Sequence, residues 1–126
     1  MHTTARVVTN PENILSYALG FVVVWFGLHE IFVPQEWVTF APPFLGDGTL
    51  ALSLVVIHGM VLSICAALLF LNIHRTIAAS VLALVFVEVI TGLVTQTGLS
   101  PVAVRDIGLF GLSVGLAFLS STSRAV

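Results

Sequence analysis

Long runs of apolar residues, broken at only a few polar positions, account for most of the chain. Four of them are long enough to be membrane-spanning helices, at residues 13–33, 49–73, 76–96 and 101–121. A helix needs about 20 mostly apolar residues to cross the roughly 30 Å hydrocarbon core of a bilayer. The runs are continuously apolar rather than alternating, which argues against β-barrel strands. The pattern predicts an all-α integral membrane four-helix bundle, with residues 1–126 in a single domain.

Start and stop signals flank these runs. Asn10 and Pro11 are typical of an N-cap and a first helical turn, and Ser100 with Pro101 repeats this pattern before the fourth run. Pro34 ends the first helix, because proline cannot continue one. Since residues 72–75 form only a short polar turn, the one substantial loop predicted is residues 34–48.

Composition supports the membrane prediction and excludes other classes. Hydrophobic residues make up 58% of the 126 positions, charged residues 8%, and the mean hydropathy is +1.13. A soluble domain carries about 25% charged residues. The values therefore exclude a water-soluble globule, a disordered chain and a nucleic-acid binder. The single cysteine, Cys65, excludes an intrachain disulfide and a cysteine cluster that could bind zinc.

The positions of the arginines predict the orientation in the membrane. The four spans put both termini on one side, together with Arg6, Arg75 and Arg124. Arg105 alone lies on the opposite side. Because cytoplasmic loops carry the excess of basic residues, we expect both termini to be cytoplasmic in a multi-pass protein of the cell membrane. The 34–48 loop is then outside.

The outer loop is rich in aromatic residues. Trp37, Phe40 and Phe44 recur at spacings of three and four. Aromatic side chains are enriched at both membrane–water interfaces. An interfacial aromatic belt is therefore the favoured interpretation, and a lid over the outer end of the bundle is the alternative.

Ionisable residues within the spans are confined to one half of the predicted bundle. Each of the four helices has at least one of them in its outer half: Glu30, His58, Glu88, Arg105 and Asp106. The inner half has none until His74 and Arg75 at the interface. Charged side chains are costly in lipid and usually face the bundle interior or a cavity. The one-sided clustering therefore indicates a polar site.

Helical phase predicts which of these side chains point inward. At 100° per residue, Glu30 shares an arc with small and polar residues, namely Ser16, Gly20 and Gly27. Glu88 shares another arc with Ser80, Thr91, Gly92 and Thr95. Small and polar residues mark helix contacts in lipid. We therefore expect Glu30 and Glu88 to face inward, and His29 to point toward headgroups or a partner.

The fourth helix carries two such stripes. One consists of Asp106, Ser113, Ala117 and Ser120. The other consists of Gly108, Gly111 and Gly115. Both are candidate surfaces for contact with other helices, because small side chains let helix backbones approach closely.

The charge balance of the cluster favours a functional site. The cluster contains three acidic residues, Glu30, Glu88 and Asp106, and one basic residue, Arg105. A purely structural ion-pair network would not need more acidic than basic residues. We expect His58 and Glu88 to exchange protons. The residues expected to bind a ligand are Glu30, Arg105, Asp106 and Trp37. In this interpretation Arg105 holds a carbonyl or an anion, and Asp106 orients Arg105.

Three alternatives assign other roles to the same residues. The first is an ion-pair network that only stabilises the bundle. The second is a metal site formed by Glu30, His58, Glu88 and Asp106, which have suitable ligand types but no E-x-x-H pair. The third is a haem b between His29 and His58, which the helical phase of His29 disfavours.

Two short motifs resemble those of the DoxX-like membrane proteins. The first is Gly27-x-x-Glu30-x-x-x-Pro34-x-x-Trp37, and the second is Arg105-Asp106-x-Gly108. Length and helix number are similar over the whole chain. The position of Glu30 is often a lysine in that family, which is a reversal of charge. The family is named for small subunits of a thiosulfate:quinone oxidoreductase, so the resemblance implies a four-helix membrane fold and a role in a redox complex.

We therefore expect a small oxidoreductase subunit with a quinone site in the outer half of the bundle. The chain encodes no redox centre, so electrons would come from a partner or a bound cofactor. The expected partners are membrane lipid and either other subunits or further copies of the chain. A small proton-coupled transporter or binding module and a purely structural accessory subunit are the alternatives.

Overall fold

The computed structural model describes residues 10–125, with side chains through Ser123, and is dominated by four long helices. They are α1 (Pro11–Phe32), α2 (Thr49–Phe70), α3 (Arg75–Thr97) and α4 (Pro101–Ala125). Short 3-10 turns at Pro34–Glu36, Val38–Phe40 and Pro43–Leu45 shape the long loop. The predicted all-α four-helix architecture is confirmed. Arg6 and the side chain of Arg124, used above to predict orientation, lie outside the described residues.

The helix ends follow the predicted capping residues. The Asn10 side chain accepts a hydrogen bond from the Glu12 amide at 3.0 Å, and the Ser100 hydroxyl accepts one from the Ala103 amide at 3.2 Å. The helix α2 ends at Phe70, three residues earlier than predicted. The reason is the tight turn that follows, in which Asn72 and His74 adopt positive φ angles of 56° and 48°. A helix of L-residues does not continue through that conformation.

The four helices form a ring in chain order. The most extensive contacts are those of α1 with α2 and of α3 with α4, while α2 with α3 and α1 with α4 close the ring. Leucines from all four helices fill the centre: Leu19, Leu62, Leu69, Leu82 and Leu116. We call the end with the 33–48 loop the loop end. The opposite end, which holds Pro11 and Ser123, is called the terminal end.

The surface of the bundle is apolar along the helices. Large apolar side chains are exposed on every helix, among them Phe21, Trp25, Ile57, Leu84 and Phe118. Each helix is long and apolar enough to cross a membrane. An apolar surface of this extent is not typical of a soluble monomer, and the structure is that of a multi-pass membrane protein.

Two glycines bring α1 and α2 into backbone contact. A Cβ atom at Gly27 would lie 2.6 Å from Ser63 Oγ and 2.8 Å from the Gly59 carbonyl oxygen. A Cβ atom at Gly59 would lie 2.6 Å from the Gly27 carbonyl oxygen. Only glycine permits this approach. The contact places Glu30 of α1 and His58 of α2 side by side.

The two stripes predicted on α4 differ in environment. Asp106, Ser113 and Ser120 are buried against the bundle, as expected for a packing face. Gly108, Gly111 and Gly115 are exposed, and a Cβ atom at any of them would meet nothing within 4 Å. The polar stripe therefore packs inside this chain, whereas the glycine stripe lies uncovered.

Candidate functional site

A carboxylate–imidazole pair lies between α1 and α2 near the loop end. His58 Nδ1 is 2.6 Å from Glu30 Oε2. Glu30 is 5% exposed, as the prediction that it faces inward requires, and the His58 side chain is 26% exposed. His58 Nε2 is buried and has no hydrogen-bond partner in the described structure. The pair therefore leaves one buried imidazole nitrogen without a hydrogen bond.

This arrangement suits proton exchange. A carboxylate bonded to Nδ1 fixes the orientation of an imidazole and stabilises its protonated form, while Nε2 acts on a third group. His58 is nine residues beyond Thr49, which corresponds to a depth of about 14 Å from the loop end of α2 at 1.5 Å per residue. The imidazole therefore lies well inside the span, where lipid offers no hydrogen bonds.

Glu88 is exposed on α3, so the prediction that it points into the bundle is wrong. It is close enough to His58 to interact with it electrostatically. It makes no hydrogen bond or ion pair within the described residues. The hydroxyls predicted to share its inward arc, those of Ser80, Thr91 and Thr95, donate instead to backbone carbonyls of α3 itself. These bonds within α3 satisfy the three hydroxyls, so they need no partner on a neighbouring helix. α3 packs against the bundle through its opposite, apolar face.

Arg105 is held by the residue that follows it. Arg105 Nε donates to Asp106 Oδ1 at 2.8 Å, and Asp106 is only 3% exposed. The guanidinium also lies 4.5 Å from the centre of the Phe26 ring, a cation–π contact with α1. Asp106 thus orients Arg105, as the hypothesis for this pair requires. Arg105 makes no hydrogen bond to Glu30 or His58, so the structure forms two neighbouring sites rather than one network.

Trp37 attaches the long loop to α1. Its Nε1 donates to His29 Nδ1 at 2.7 Å, and its ring packs edge-on against Phe26 with centroids 5.6 Å apart. His29 therefore contacts the loop of its own chain, whereas we expected it to point toward headgroups or a partner. Since Phe26 contacts both Trp37 and Arg105, the loop and the start of α4 meet on this ring.

Substitution of Trp37 by phenylalanine tests this attachment. We expect the loss of the hydrogen bond to His29 to cost about 1 kcal/mol of unfolding free energy. Proteolysis within residues 41–47 should become faster, while cleavage at the terminal end should not change. Phe40→Leu, which keeps the hydrogen bond, is the matched control. Equal cleavage rates in the two variants would contradict this role of Trp37.

A second polar cluster, which was not predicted, lies at the terminal end. Arg75 Nη1 is 2.8 Å from Glu12 Oε1, and Arg75 Nη2 donates to Asn13 Oδ1 at 2.7 Å and also to Asn72 Oδ1. Ser120 Oγ donates to the same Glu12 oxygen at 2.9 Å. Arg75 is 7% exposed. The cluster, which we call the terminal network, joins α1, α3 and α4.

The sequence contains a weak signal for this network. Asn13 and Ser16 lie on the packing arc of α1, and Ser120 lies on the packing stripe of α4. All three are buried near the terminal end, and the Ser16 hydroxyl donates to the Leu69 carbonyl at 3.0 Å. Polar residues on packing faces at one end of several helices indicate a buried polar layer there.

Two further findings bear on the nature of the site. Among residues 10–125, no group of three or more His, Cys, Asp or Glu side chains is arranged to hold a metal ion. Comparisons with protein-family models, with curated proteins and with solved structures give no match to this chain. The resemblance to the DoxX-like proteins therefore rests on the two motifs and the helix number.

Proposed function

We propose that the chain is a small membrane subunit of a quinone-linked redox complex, related to the DoxX-like proteins, and that Glu30 and His58 form its proton-exchanging site. The observation that carries the proposal is the partly buried imidazole of His58, whose Nδ1 is bonded to a carboxylate and whose buried Nε2 has no partner among the described residues. A quinone takes up protons together with electrons when it is reduced, so its site needs a group that donates them. Electrons would come from another subunit of the complex in the cell membrane.

Each residue of the site has a role in this proposal. His58 Nε2 bonds to a carbonyl or hydroxyl of the quinone headgroup, and Glu30 stabilises the protonated imidazole. Glu88, an ionisable side chain within the span of the neighbouring helix and near His58, is the second proton-exchanging group of the proposal. Arg105, fixed by Asp106 and Phe26, has its terminal guanidinium nitrogens available for a carbonyl or an anion.

The surroundings of the pair favour a ligand that arrives through the lipid. Glu88 is exposed on the same apolar surface that the helices present along the membrane span. His58 is partly exposed at a depth of about 14 Å. A lipid-soluble molecule can reach this depth from the side of the bundle, whereas a hydrophilic one must cross the loop end.

Binding of decylubiquinone to the chain in lipid nanodiscs tests the proposal. We expect His58→Gln to weaken binding about tenfold, because the lost hydrogen bond to the headgroup is worth about 1.4 kcal/mol. His74→Gln, at an exposed histidine of the terminal end, is the matched control and should bind like the wild type. Quenching of tryptophan fluorescence measures the dissociation constant. Equal constants for the two variants would contradict the assignment of His58.

A proton-coupled transporter is the second candidate function. The observation that favours it is the exposed carboxyl of Glu88 within a span, since such carboxyls serve proton exchange in membrane carriers. The confinement of Glu30, His58 and Glu88 to one half of the bundle counts against it, because transporter sites lie near the midplane. Failure of the wild-type chain to bind decylubiquinone would favour this candidate.

A further inference from the structure

We infer that the 34–48 loop is a pH-sensitive lid over the Glu30–His58 pair, which opens when His29 gains a second proton. The inference rests on the position of the loop and on the hydrogen bond that attaches it to α1. Opening of the lid is independent of the proposed function, whereas its use to admit protons to the pair rests on that function.

The loop covers the end of α1 that holds the pair. Glu30 lies two residues before the end of α1, whereas His58 lies nine residues beyond the first residue of α2. At 1.5 Å per residue, α2 therefore extends about 10 Å farther toward the loop end than α1 does. The turns Pro34–Glu36 and Val38–Phe40 both pack against α2, and the first also packs against α1. The loop thus takes the place of α1 above the pair.

Two side-chain hydrogen bonds join the loop to helices in the part of the chain that the structure describes. Trp37 Nε1 donates to His29 Nδ1 of α1 at 2.7 Å, and Gln96 Nε2 of α3 donates to the Ala41 carbonyl at 3.5 Å. The bond to His29 is the shorter of the two, and it alone involves a side chain that changes charge near neutral pH. The stronger attachment of the loop therefore depends on the protonation of one imidazole.

Only neutral His29 can accept the bond from Trp37. An indole Nε1 is a donor and never an acceptor, so the imidazole nitrogen opposite it must carry a lone pair. In a neutral imidazole Nδ1 has that lone pair when the hydrogen is on Nε2. In a protonated imidazole both nitrogens carry hydrogen, so rotation of the ring does not restore an acceptor. Protonation of His29 thus turns the bond into a contact between two donors.

The charged groups around His29 leave it free to gain the proton. Glu36 Oε2, on the loop, lies 3.7 Å from His29 Nε2 and would form an ion pair with the protonated ring. Glu30, the next residue of α1, is bonded to the imidazole of the pair on α2, and Arg105 of α4 is bonded to the residue that follows it. The His29 side chain is 35% exposed, so it can exchange protons with water.

The direction of the pH response follows from this bond. Imidazoles change charge between about pH 5 and 8. Above that range His29 accepts the bond and the lid is closed. Below it the bond is lost, although Trp37 retains its packing against Phe26 and Phe40, and we expect the open state to become about five- to tenfold more populated. An acidic medium on the loop side therefore opens a path for water and protons to the pair.

Mobility of a spin label on the loop tests the opening. The label is attached at Thr39→Cys in a Cys65→Ala background, because Thr39 is exposed and lies two residues after Trp37. The protein is held in lipid nanodiscs, in which both faces of the membrane meet the buffer. We expect the ratio of mobile to immobile label to rise about five- to tenfold between about pH 8 and pH 5. An unchanged ratio would overturn the inference.

Substitutions at the bond separate His29 from other titrating groups. His29→Asn provides a side-chain oxygen as acceptor and does not titrate, so the pH response should be lost. Trp37→Phe has no donor to lose and should give a mobile label at both pH values. Glu36→Gln removes the ion pair but keeps the hydrogen bond, so this matched control should respond like the parent. A response that persists in His29→Asn or disappears in Glu36→Gln would overturn the role of His29.

Reaction of a cysteine at the pair tests whether the loop covers it. His58→Cys in the Cys65→Ala background is treated at one pH with a charged, membrane-impermeant methanethiosulfonate reagent. We expect Trp37→Phe to make this reaction about five- to tenfold faster, because the loop is released. Equal rates with and without Trp37→Phe would show that the loop does not cover the pair, and would overturn the lid.

Both measurements are made without quinone, so they distinguish the lid from the proposed function. A parent protein that shows the loop response but does not bind decylubiquinone would contradict the proposed function and still support the lid. His58→Gln should keep the pH response of the label at position 39. A response lost in His58→Gln but kept in His29→Asn would mean that the loop follows the pair, and would overturn the inference.

Discussion

Replacement of Arg75 by methionine is expected to lower the free energy of unfolding by about 3–5 kcal/mol. The Arg75 guanidinium is almost fully buried and bonds to Glu12, Asn13 and Asn72. Methionine fills a similar volume but leaves the Glu12 carboxylate without its counterion. Most of the cost is therefore that of an uncompensated charge in a poorly hydrated position. Urea titration of the detergent-solubilised protein, followed by circular dichroism, measures it.

The double variant Glu12→Gln/Arg75→Met is the control for this prediction. Removal of both charges leaves no unpaired ion, and well-packed neutral replacements of a buried pair are often close to neutral in stability. We expect the double variant to be more stable than Arg75→Met alone. A double variant that loses more than the single one would mean that packing, and not the ion pair, accounts for the effect.

Substitution of Gly59 by valine should cost about 3 kcal/mol, at the upper end of the range for overpacked sites. The new Cβ atom would lie 2.6 Å from the Gly27 carbonyl oxygen and 2.9 Å from Glu30 Cβ, so α1 and α2 must separate. That separation also lengthens the distance between Glu30 and His58, which lie on the two helices concerned. Urea titration and the nuclear magnetic resonance signals of the His58 ring report the two effects separately.

Gly115→Ala is the matched control for the glycine contact. It adds the first side-chain carbon at a helical glycine whose Cβ position is open. We expect a gain in unfolding free energy of about 0.5–1 kcal/mol, because alanine loses less backbone entropy than glycine in a helix, and alanine remains small enough for a helix contact. Comparable destabilisation by Gly59→Val and Gly115→Ala would show that any side chain added at a helical glycine lowers stability, and would contradict the role of close helix approach at Gly59.

The helix number and the buried face of α1 could be predicted from the pattern of apolar and polar residues. The apolar runs are long and uninterrupted, so helix number and approximate bounds were predictable from length alone. On α1 the arc that contains Ser16 and Glu30 is buried as predicted, since α1 has neighbours on both sides of that arc. The polar stripe of α4 is buried for the same reason. The burial of such an arc can be predicted where its small and polar residues face the other helices of the same bundle.

Glu88 shows where this reasoning ends. Helical phase identifies which residues share a face, but it does not say whether that face meets a helix of the same chain. On α3 the small residues Ala78 and Ala79 and the apolar Leu82 form the buried side instead. The arc of Glu88 has the residues of a contact face, and its outward orientation became known only from the arrangement of all four helices.

The terminal network was missed for a different reason. Arg75 and Asn13 are 62 positions apart, and a charged residue at a helix end ordinarily meets water. Nothing local in the sequence distinguishes an exposed interfacial arginine from a buried one. The pairing follows from the up-and-down arrangement of the helices, which places the starts of α1 and α3 at the same end of the bundle, where the long Arg75 side chain reaches Glu12.

Because the helices are synthesised in order, the terminal network forms late in the assembly of the bundle. The first two helices can form a hairpin through Gly27 and Gly59, which need no later residue. Glu12, at the start of α1, must wait for its counterion until α3 has been made, and for its bond to Ser120 until the last turns of α4 have been inserted. The terminal network is therefore completed last, when the final turns of α4 bring Ser120 to the first turn of α1.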